Sequence, residues 1–357
     1  MGEKYPSPHA TNTGMSNTRK GSALVLISAA LFGVMPILAK LAYQEQVNIH
    51  TLLALRFSIA AGAMWLLWVQ QRARGATPLL AVAPATPAAP ATHPLPAEPD
   101  PTTTRASTPT AGTIMALVAL GALGYVGQSF SYFQAVSILS ASATGLLLYT
   151  YPIIVTLLAW VLYREPLSIT KVTALLTAST GALMVLGIIS SLLGGGQTSF
   201  GTLDPRGVPW AAGASLIYSA YILASTRFTA GVHPIFSSAV VISSAALVYI
   251  VWGIASGQLN LAISPAGLLW ATLIAVLSTV IAIVTFFAGL RYIGPSKAAI
   301  ISTLEPAVTV ALAALILREA ITLEQAVGGM LILLSVLVLQ RGRLPAAQAE
   351  PTPSGGS

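Results

Sequence analysis

The chain has 357 residues, of which 55% are hydrophobic and only 8% are charged, and its formal net charge is +7. Soluble globular domains carry about 25% charged residues, so this composition excludes an ordinary soluble domain and indicates that lipid surrounds much of the chain. The lack of cysteine excludes disulfides, thiol nucleophiles and cysteine-based metal sites.

The N-terminal segment 1–20 is a polar tail that ends in Arg19 and Lys20, just before the first apolar run. That run is longer than the core of a secretory signal peptide and reaches Lys40 without a small-residue cleavage site, so we interpret it as a retained span. The basic residues of the chain are scattered between apolar runs rather than grouped with aromatic residues. This pattern argues against a nucleic acid partner.

Ten apolar runs are long enough to cross the hydrocarbon core, which takes about 20 residues of helix. Most connections between them are short, which favours antiparallel packing of successive helices. The sequence therefore predicts an all-α integral membrane protein with ten transmembrane helices. The predicted spans are 21–42, 49–70, 112–134, 140–162, 169–192, 207–228, 234–255, 265–289, 296–317 and 323–340.

The connection between the second and third spans, residues 71–111, differs from the others because it is long and rich in Pro, Ala and Thr. Such a composition cannot bury a hydrophobic core. We therefore expect a disordered, partly extended linker.

The distribution of Lys and Arg predicts the orientation of the spans. With the N-terminus inside, 13 of these residues fall on the inner side, three on the outer side, and Arg56 lies within span 2. Long loops follow the rule weakly, but without the linker the bias is still ten to three. Both termini are therefore expected in the cytoplasm, with the linker on the same side.

Two stretches of the sequence repeat each other without a gap. The matching pairs, each separated by 154 positions (306 − 152), are Pro152 and Pro306, Arg164 and Arg318, and Glu165 and Glu319. The predicted repeats are 21–192 and 207–340, followed by a tail at 341–357. Since each holds five spans, the second repeat would cross the membrane in the opposite sense. Inverted repeats are typical of secondary transporters, whose binding site lies at the repeat interface near mid-membrane.

The sequence resembles the EamA family of the drug/metabolite transporter superfamily over about 21–70 and 112–340. The matching stretches are FGVMPILAK (32–40), LALRF (53–57), YTYPIIVTLLAWVLYREPL (149–167) and LEPAVTVALAALILREAI (304–321). The resemblance implies two five-helix repeats, an inside N-terminus, a central cavity and export of small metabolites or amino acids. The long linker departs from the family pattern. So does Pro36, where a polar residue is common, and this departure leaves the substrate open.

Glu305 is an acidic residue inside the predicted ninth span. Pro306 has no backbone N–H, so the carbonyl of Ser302 loses its helical partner and the helix is weakened beside the carboxyl group. Intramembrane acids are functional by default, which favours a role for Glu305 in proton coupling or in binding a substrate amine. The alternative is a protonated, hydrogen-bonded group that fixes the helix break. Pro152 and Pro306 are candidate gating positions for the same reason.

Arg56 and Lys40 are the basic residues of the first two predicted spans. Arg56 either reaches the outer surface or faces the cavity, where it would neutralise a carboxylate; the family resemblance includes this arginine. Lys40, at the outer end of span 1, is expected to anchor the helix at the interface, with a substrate contact as the alternative.

Aromatic and polar residues recur on faces that would point away from lipid. They predict a cavity suited to amphipathic, neutral or zwitterionic solutes, although such stripes also serve ordinary helix packing. These candidate cavity residues are Tyr125, Gln128, Tyr132, Tyr149, Tyr218, Tyr221, Ser278 and Phe286.

Two further patterns concern packing and the helix ends. Ala174, Ala178 and Ala182 form a small-residue stripe in span 5, which indicates close packing or a homo-oligomer contact. Arg164-Glu165 and Arg318-Glu319 lie at opposite faces, where they form gating salt bridges or solvated helix ends.

The four histidines are dispersed, and no sequence pattern for ATP binding or hydrolase chemistry is present, so we predict no cofactor, no metal site and no enzyme. The predicted function is a secondary transporter of the bacterial inner membrane that exports small metabolites such as amino acids by alternating access. An exchanger of organic anions or phosphorylated sugars is an alternative, which would need several basic cavity residues. A membrane receptor or sensor is an alternative from another class.

Overall fold

The computed structural model describes residues 10–74, 109–163, 168–186, 188, 204–229 and 232–341, and all regular structure in these residues is helical. The first group of helices is α1 (Ala10–Gln44), α2 (Ile49–Ala73), α3 (Ala111–Ala119), α4 (Val126–Ile138), α5 (Ala141–Leu148), α6 (Tyr151–Tyr163) and α7 (Ile169–Val185). The second group is α8 (Val208–Phe228), α9 (Pro234–Ala255), α10 (Pro265–Ala275), α11 (Ala282–Ser302), α12 (Leu304–Ile316) and α13 (Leu323–Arg341).

Seven helical stretches of the described residues are long and apolar enough to cross a membrane. Three further apolar helices, at 169–185, 300–316 and 323–338, are shorter. The prediction of an all-helical membrane protein is confirmed, and each of the ten predicted runs contains helix. The number of ten complete spans stays a prediction. Most of the predicted linker, residues 75–108, lies outside the described residues.

Two predicted spans contain a turn of π-helix. Leu120–Tyr125 joins α3 to α4, and Val276–Ile281 joins α10 to α11. A π-turn widens the helix locally and leaves one carbonyl without its usual partner, so it is common where a helix contributes to a functional site. A further kink lies within α11 at Gly294, whose φ of 75° requires glycine.

Polar side chains fix where the helices begin. Ser140 and Ser168 each accept a hydrogen bond from the backbone N–H three residues later, as N-capping residues do. Outside the spans, Asp204 caps the turn before α8, and the adjacent Arg206 guanidinium holds the pKa of that carboxyl below its usual range. These caps thus fix the residue at which the following helix or turn begins.

Large apolar side chains point outward, as expected for a protein surrounded by lipid. Leu123 and Leu315 are 75% and 78% exposed, although both lie within helices. The interior also holds large apolar residues such as Phe57 and Leu52, together with Tyr249, alanines and hydroxyl residues. The buried hydroxyl groups thus lie inside the bundle, away from lipid.

The helices pack in pairs, with α1 beside α11 and α12, α2 beside α9, α4 beside α8, and α7 beside α13. One end of the bundle is defined by Gln44, Ser140 and Glu319, and we call it the Glu319 face. Connections here are joined across the bundle, since the Asn48 amide donates to the Gln258 carbonyl and Ser264 donates to Glu45, each at 2.7 Å.

Close backbone contact joins α7 to α13. A Cβ atom added at Gly181 would lie 2.5 Å from the carbonyl oxygen of Gly328. Ala174 and Ala178 are buried on the same helix, beside Ile153 of α6. The small-residue stripe therefore serves packing within one chain.

Gly181→Ala is expected to destabilise the protein by about 1–3 kcal/mol, because the new methyl group meets backbone rather than a flexible side chain. Gly62→Ala is the matched control, since a Cβ at Gly62 meets nothing within 4 Å. Thermal unfolding in detergent should show a lower midpoint for Gly181→Ala alone. Equal midpoints for both variants would contradict the close contact.

Candidate functional site

Glu305 lies at a break in the helix, in the first turn of α12. The preceding helix ends at Ser302, and Pro306 leaves the Ser302 carbonyl without an intrahelical donor. Tyr149 from the other half of the chain supplies one, because its hydroxyl oxygen lies 2.7 Å from Ser302 O. The same oxygen lies 2.9 Å from Glu305 Oε2. Tyr149 therefore connects the break to the carboxyl group.

A second break, between α5 and α6, lies at Tyr149 and Thr150 and is built in the same way. Thr150 donates to the Leu147 carbonyl and Thr303 donates to the Ile300 carbonyl, each over 2.7 Å. Each of the two breaks is followed within three residues by a proline, Pro152 or Pro306. The two interrupted helices thus meet at their interruptions, where polar backbone is available in the interior.

Helix α1 passes close to Glu305 because Gly33 has no side chain. A Cβ at Gly33 would lie 2.7 Å from the Glu305 carbonyl oxygen. Thr309, one turn after Glu305, donates to the Gly33 carbonyl at 2.9 Å. These contacts hold the start of α12 against the middle of α1.

Aromatic rings form a continuous series of contacts that leads away from Glu305. We call Tyr149, Tyr151, Tyr218, Tyr221 and Tyr125 the tyrosine row. Successive ring centroids are 5.8 Å (Tyr149–Tyr151), 4.8 Å (Tyr151–Tyr218), 6.3 Å (Tyr218–Tyr221) and 5.9 Å (Tyr221–Tyr125) apart, and Tyr125 lies 5.2 Å from Phe57. All but Tyr149 keep partial exposure. The row presents ring surface together with hydroxyl groups.

Arg56 lies at the other end of the tyrosine row. Its guanidinium carbon is 4.8 Å from the Phe57 ring centre and 5.1 Å from that of Phe133, and Nε donates to Thr279 Oγ1 at 3.0 Å. Thr279 belongs to the second π-turn and donates in turn to the Ile274 carbonyl at 3.1 Å. The side chain is only 3% exposed. This placement excludes the alternative in which Arg56 reaches the outer surface.

Glu319 connects two helices at the Glu319 face. Its carboxylate accepts hydrogen bonds from the backbone N–H groups of Ala141 (2.7 Å) and Ser142 (3.1 Å) and from the Ser142 hydroxyl (2.7 Å). A carboxylate at a helix N-terminus is stabilised by these donors and by the helix dipole. The end of α12 is thereby joined to the start of α5, with Lys40 within electrostatic reach.

The comparison with known proteins decides the family. The sequence profile described as "EamA-like transporter family" matches residues 95–187 and 205–341, more than half of the chain. The chain belongs to the EamA-like transporter family. This family is part of the drug/metabolite transporter superfamily, which agrees with the apolar helices of a multi-pass membrane protein.

The chain is also similar to one curated protein and to one solved structure. A protein of Synechocystis sp. named only as an uncharacterized transporter is 31% identical over 198 residues, which cover 54% of this chain and 56% of the relative's length. A solved crystal structure matches with a TM-score of 0.54 and 18% identity, covering 90% of this chain and 97% of the other. The structural match supports the fold alone.

The EamA-like fold brings together most of the residues singled out in the sequence. Tyr132 is buried within electrostatic reach of both Arg56 and Glu305. Gln128 is buried on α4, and Ser278 Oγ is sealed in the second π-turn without a partner among the described residues. Phe286 instead packs with Val25 and other apolar residues near the opposite end of the bundle.

Phe133, whose ring contacts the Arg56 guanidinium, carries no pattern that identifies it in the sequence. The sequence also does not pair Thr279 with Arg56 or Tyr149 with Ser302, although a hydrogen bond joins each pair in the structure. Arg164 and Glu165, predicted as the counterpart of Arg318 and Glu319, lie outside the described residues. In the described part of the chain, no group of three acidic or histidine residues is placed to hold a metal ion.

Proposed function

We propose that this EamA-like protein is a secondary transporter of the inner membrane that exports small amphipathic metabolites, amino acids or related solutes, by alternating access. The observation that carries the proposal is the meeting of two interrupted helices, where Tyr149 of one contacts Ser302 and Glu305 of the other. Helix breaks of this kind expose backbone groups to a solute in mid-membrane. The tyrosine row offers the adjoining surface for the apolar part of a solute.

Two inverted repeats of five spans would explain how the site alternates. The helix breaks at Thr150 and Thr303 are 153 positions apart (303 − 150), and the π-turns that begin at Leu120 and Val276 are 156 apart (276 − 120). Both separations are close to the 154 of the sequence repeat. Related halves of opposite orientation can exchange conformations, which opens the shared site to each side in turn.

In the orientation favoured by Lys and Arg, the Glu319 face is periplasmic. The hydrogen bonds of Glu319 to Ala141 and Ser142 then hold the periplasmic side closed. Ala313 and Ile37 lie buried beneath this contact, packed with Ala141. Release of Glu319 from α5 is the step that would open this side.

Glu305 is proposed to carry the coupling proton. The Tyr149 hydroxyl has one proton and lies near two acceptors, and the Ser302 carbonyl at 2.7 Å can only accept. The contact of Glu305 Oε2 with the same hydroxyl at 2.9 Å is therefore best satisfied when the carboxyl group donates its own proton. The groups that surround it are Tyr149, Tyr151, Tyr218 and Tyr132. Deprotonation would redirect the Tyr149 hydroxyl to Glu305 and release Ser302.

An efflux assay in cells tests the proposed export. Cells that express the chain are loaded with labelled L-leucine and transferred to label-free medium, and loss of label is followed at matched expression. We expect faster loss than from cells without the chain, with the difference abolished by a protonophore. Equal loss from both, although the protein is in the membrane, would contradict export of this class of solute.

A further inference from the structure

Arg56 uses only part of its hydrogen-bonding capacity. A guanidinium has five N–H groups. The Nε group donates to Thr279, while neither Nη atom bonds to any described residue. In the described residues, the side-chain N and O atoms that are fully buried and have no hydrogen-bond partner are Gln71 Oε1 and Ser278 Oγ. The Nη atoms of Arg56 are not among them, so they are not fully buried. The fork of N–H groups therefore faces a space rather than packed protein.

An uncompensated positive charge inside a membrane is costly, so it normally has an anionic partner. Among the described residues, no carboxylate forms an ion pair with Arg56. The acidic groups of the interior and the Glu319 face have other partners, since Glu305 contacts Tyr149, Glu319 binds the start of α5, and Glu45 accepts from Ser264. The described residues therefore supply no anionic partner for Arg56.

The residues around Arg56 fix the orientation of its guanidinium. The Phe57 and Phe133 rings contact it, and Thr279 fixes Nε from the π-turn. Cation–π contacts stabilise the charge but leave the in-plane N–H groups available. A guanidinium fixed in this way is prepared for two parallel hydrogen bonds to a carboxylate.

We propose that Arg56 binds the carboxylate of the transported solute, whose apolar part lies along the tyrosine row. This inference rests on the proposed transport function and names the chemical class of its substrate. The row ends at Tyr125, whose ring contacts that of Phe57 beside the guanidinium, so a carboxylate at Arg56 places the rest of the solute against Tyr125 and Tyr221. A single guanidinium matches a singly charged carboxylate better than a phosphate dianion, which favours amino acids over phosphorylated sugars.

Counterflow into liposomes that hold the purified full chain tests the proposal with three matched probes. L-leucine carries both charges, 4-methylpentanoate lacks the ammonium group, and L-leucinamide lacks the carboxylate. The proposal predicts that L-leucinamide is moved roughly tenfold to a hundredfold less well than L-leucine, the loss expected for a charge-assisted pair. Glucose 6-phosphate in excess should not compete. Equal transport of L-leucine and its amide, or strong competition by the phosphate, would overturn the carboxylate assignment while leaving the transport function intact.

Arg56→Gln separates binding from a purely structural role. Loss of structure would lower transport of all three probes together, whereas loss of the carboxylate contact lowers L-leucine and 4-methylpentanoate and leaves L-leucinamide unchanged. We expect the leucine-to-amide ratio to collapse toward one in Arg56→Gln and to be intermediate in Arg56→Lys, which keeps the charge but loses the fork. An unchanged ratio in a monodisperse variant overturns the inference. If the wild-type protein moves none of the probes, the proposed function fails and the inference fails with it.

Discussion

Replacing Glu319 with alanine is expected to open the Glu319 face of the bundle, which is periplasmic in the proposed orientation. The variant removes the acceptor for two backbone N–H groups and the Ser142 hydroxyl at the start of α5. Hydrogen bonds to a charged group contribute about 1.5–3 kcal/mol, so the opening equilibrium should shift roughly tenfold to a hundredfold. Ala313, which is fully buried beneath this contact, reports the change when it is replaced by cysteine.

The measurement is the rate at which a membrane-impermeant thiol reagent labels Ala313→Cys in intact cells. The chain has no other cysteine, so the signal has a single source. Ala313→Cys alone should label slowly, and the addition of Glu319→Ala should accelerate it. Arg318→Gln is the matched control, because it changes a charge in the same connection on an exposed side chain. Equal acceleration by both variants, or by neither, would show that Glu319 does not hold this side closed.

Glu305→Gln is expected to abolish proton-coupled transport while leaving the protein inserted and folded. Glutamine keeps the shape of the side chain and a hydrogen bond to Tyr149, but it cannot release a proton. Solute-dependent proton movement, followed with a pH-sensitive dye inside liposomes, should fall to the level of protein-free liposomes. Tyr149→Phe removes the hydroxyl that connects Glu305 to Ser302 and should weaken the same signal.

Glu324→Gln provides the control for this prediction. Glu324 also lies in the first turn of an apolar helix, α13, so the charge change and helix position are matched. Its variant should retain proton movement. A Glu305→Gln protein that still moves protons with the wild-type dependence on pH would refute the coupling role and leave Glu305 as a fixed part of the helix break.

The sequence alone was sufficient for those features that depend on local composition. Continuous apolar runs predicted the helices, because backbone in lipid must satisfy its hydrogen bonds within each segment. Glu305 was identified because a carboxylate next to a proline is exceptional in such a run. The weakened helix at Ser302 also followed directly, since proline removes the donor for that carbonyl.

Features that depend on contacts between distant helices were not accessible in the same way. The donor to the freed Ser302 carbonyl is one such feature, because Tyr149 lies 153 residues away in the sequence. Hydropathy does not distinguish a π-turn from ordinary helix, so the support that Thr279 gives Arg56 was invisible. The same holds for Phe286, which shares the composition of the cavity residues but packs near the other end of the bundle.

The most direct test of transport by alternating access is the uptake of labelled L-leucine by liposomes that hold only the purified protein, without ATP. We expect uptake that saturates with concentration, responds to an imposed proton gradient, and is absent from protein-free liposomes. Binding of L-leucine to the purified protein with no flux in either direction, at any gradient, would contradict alternating access and favour a receptor built on the same fold.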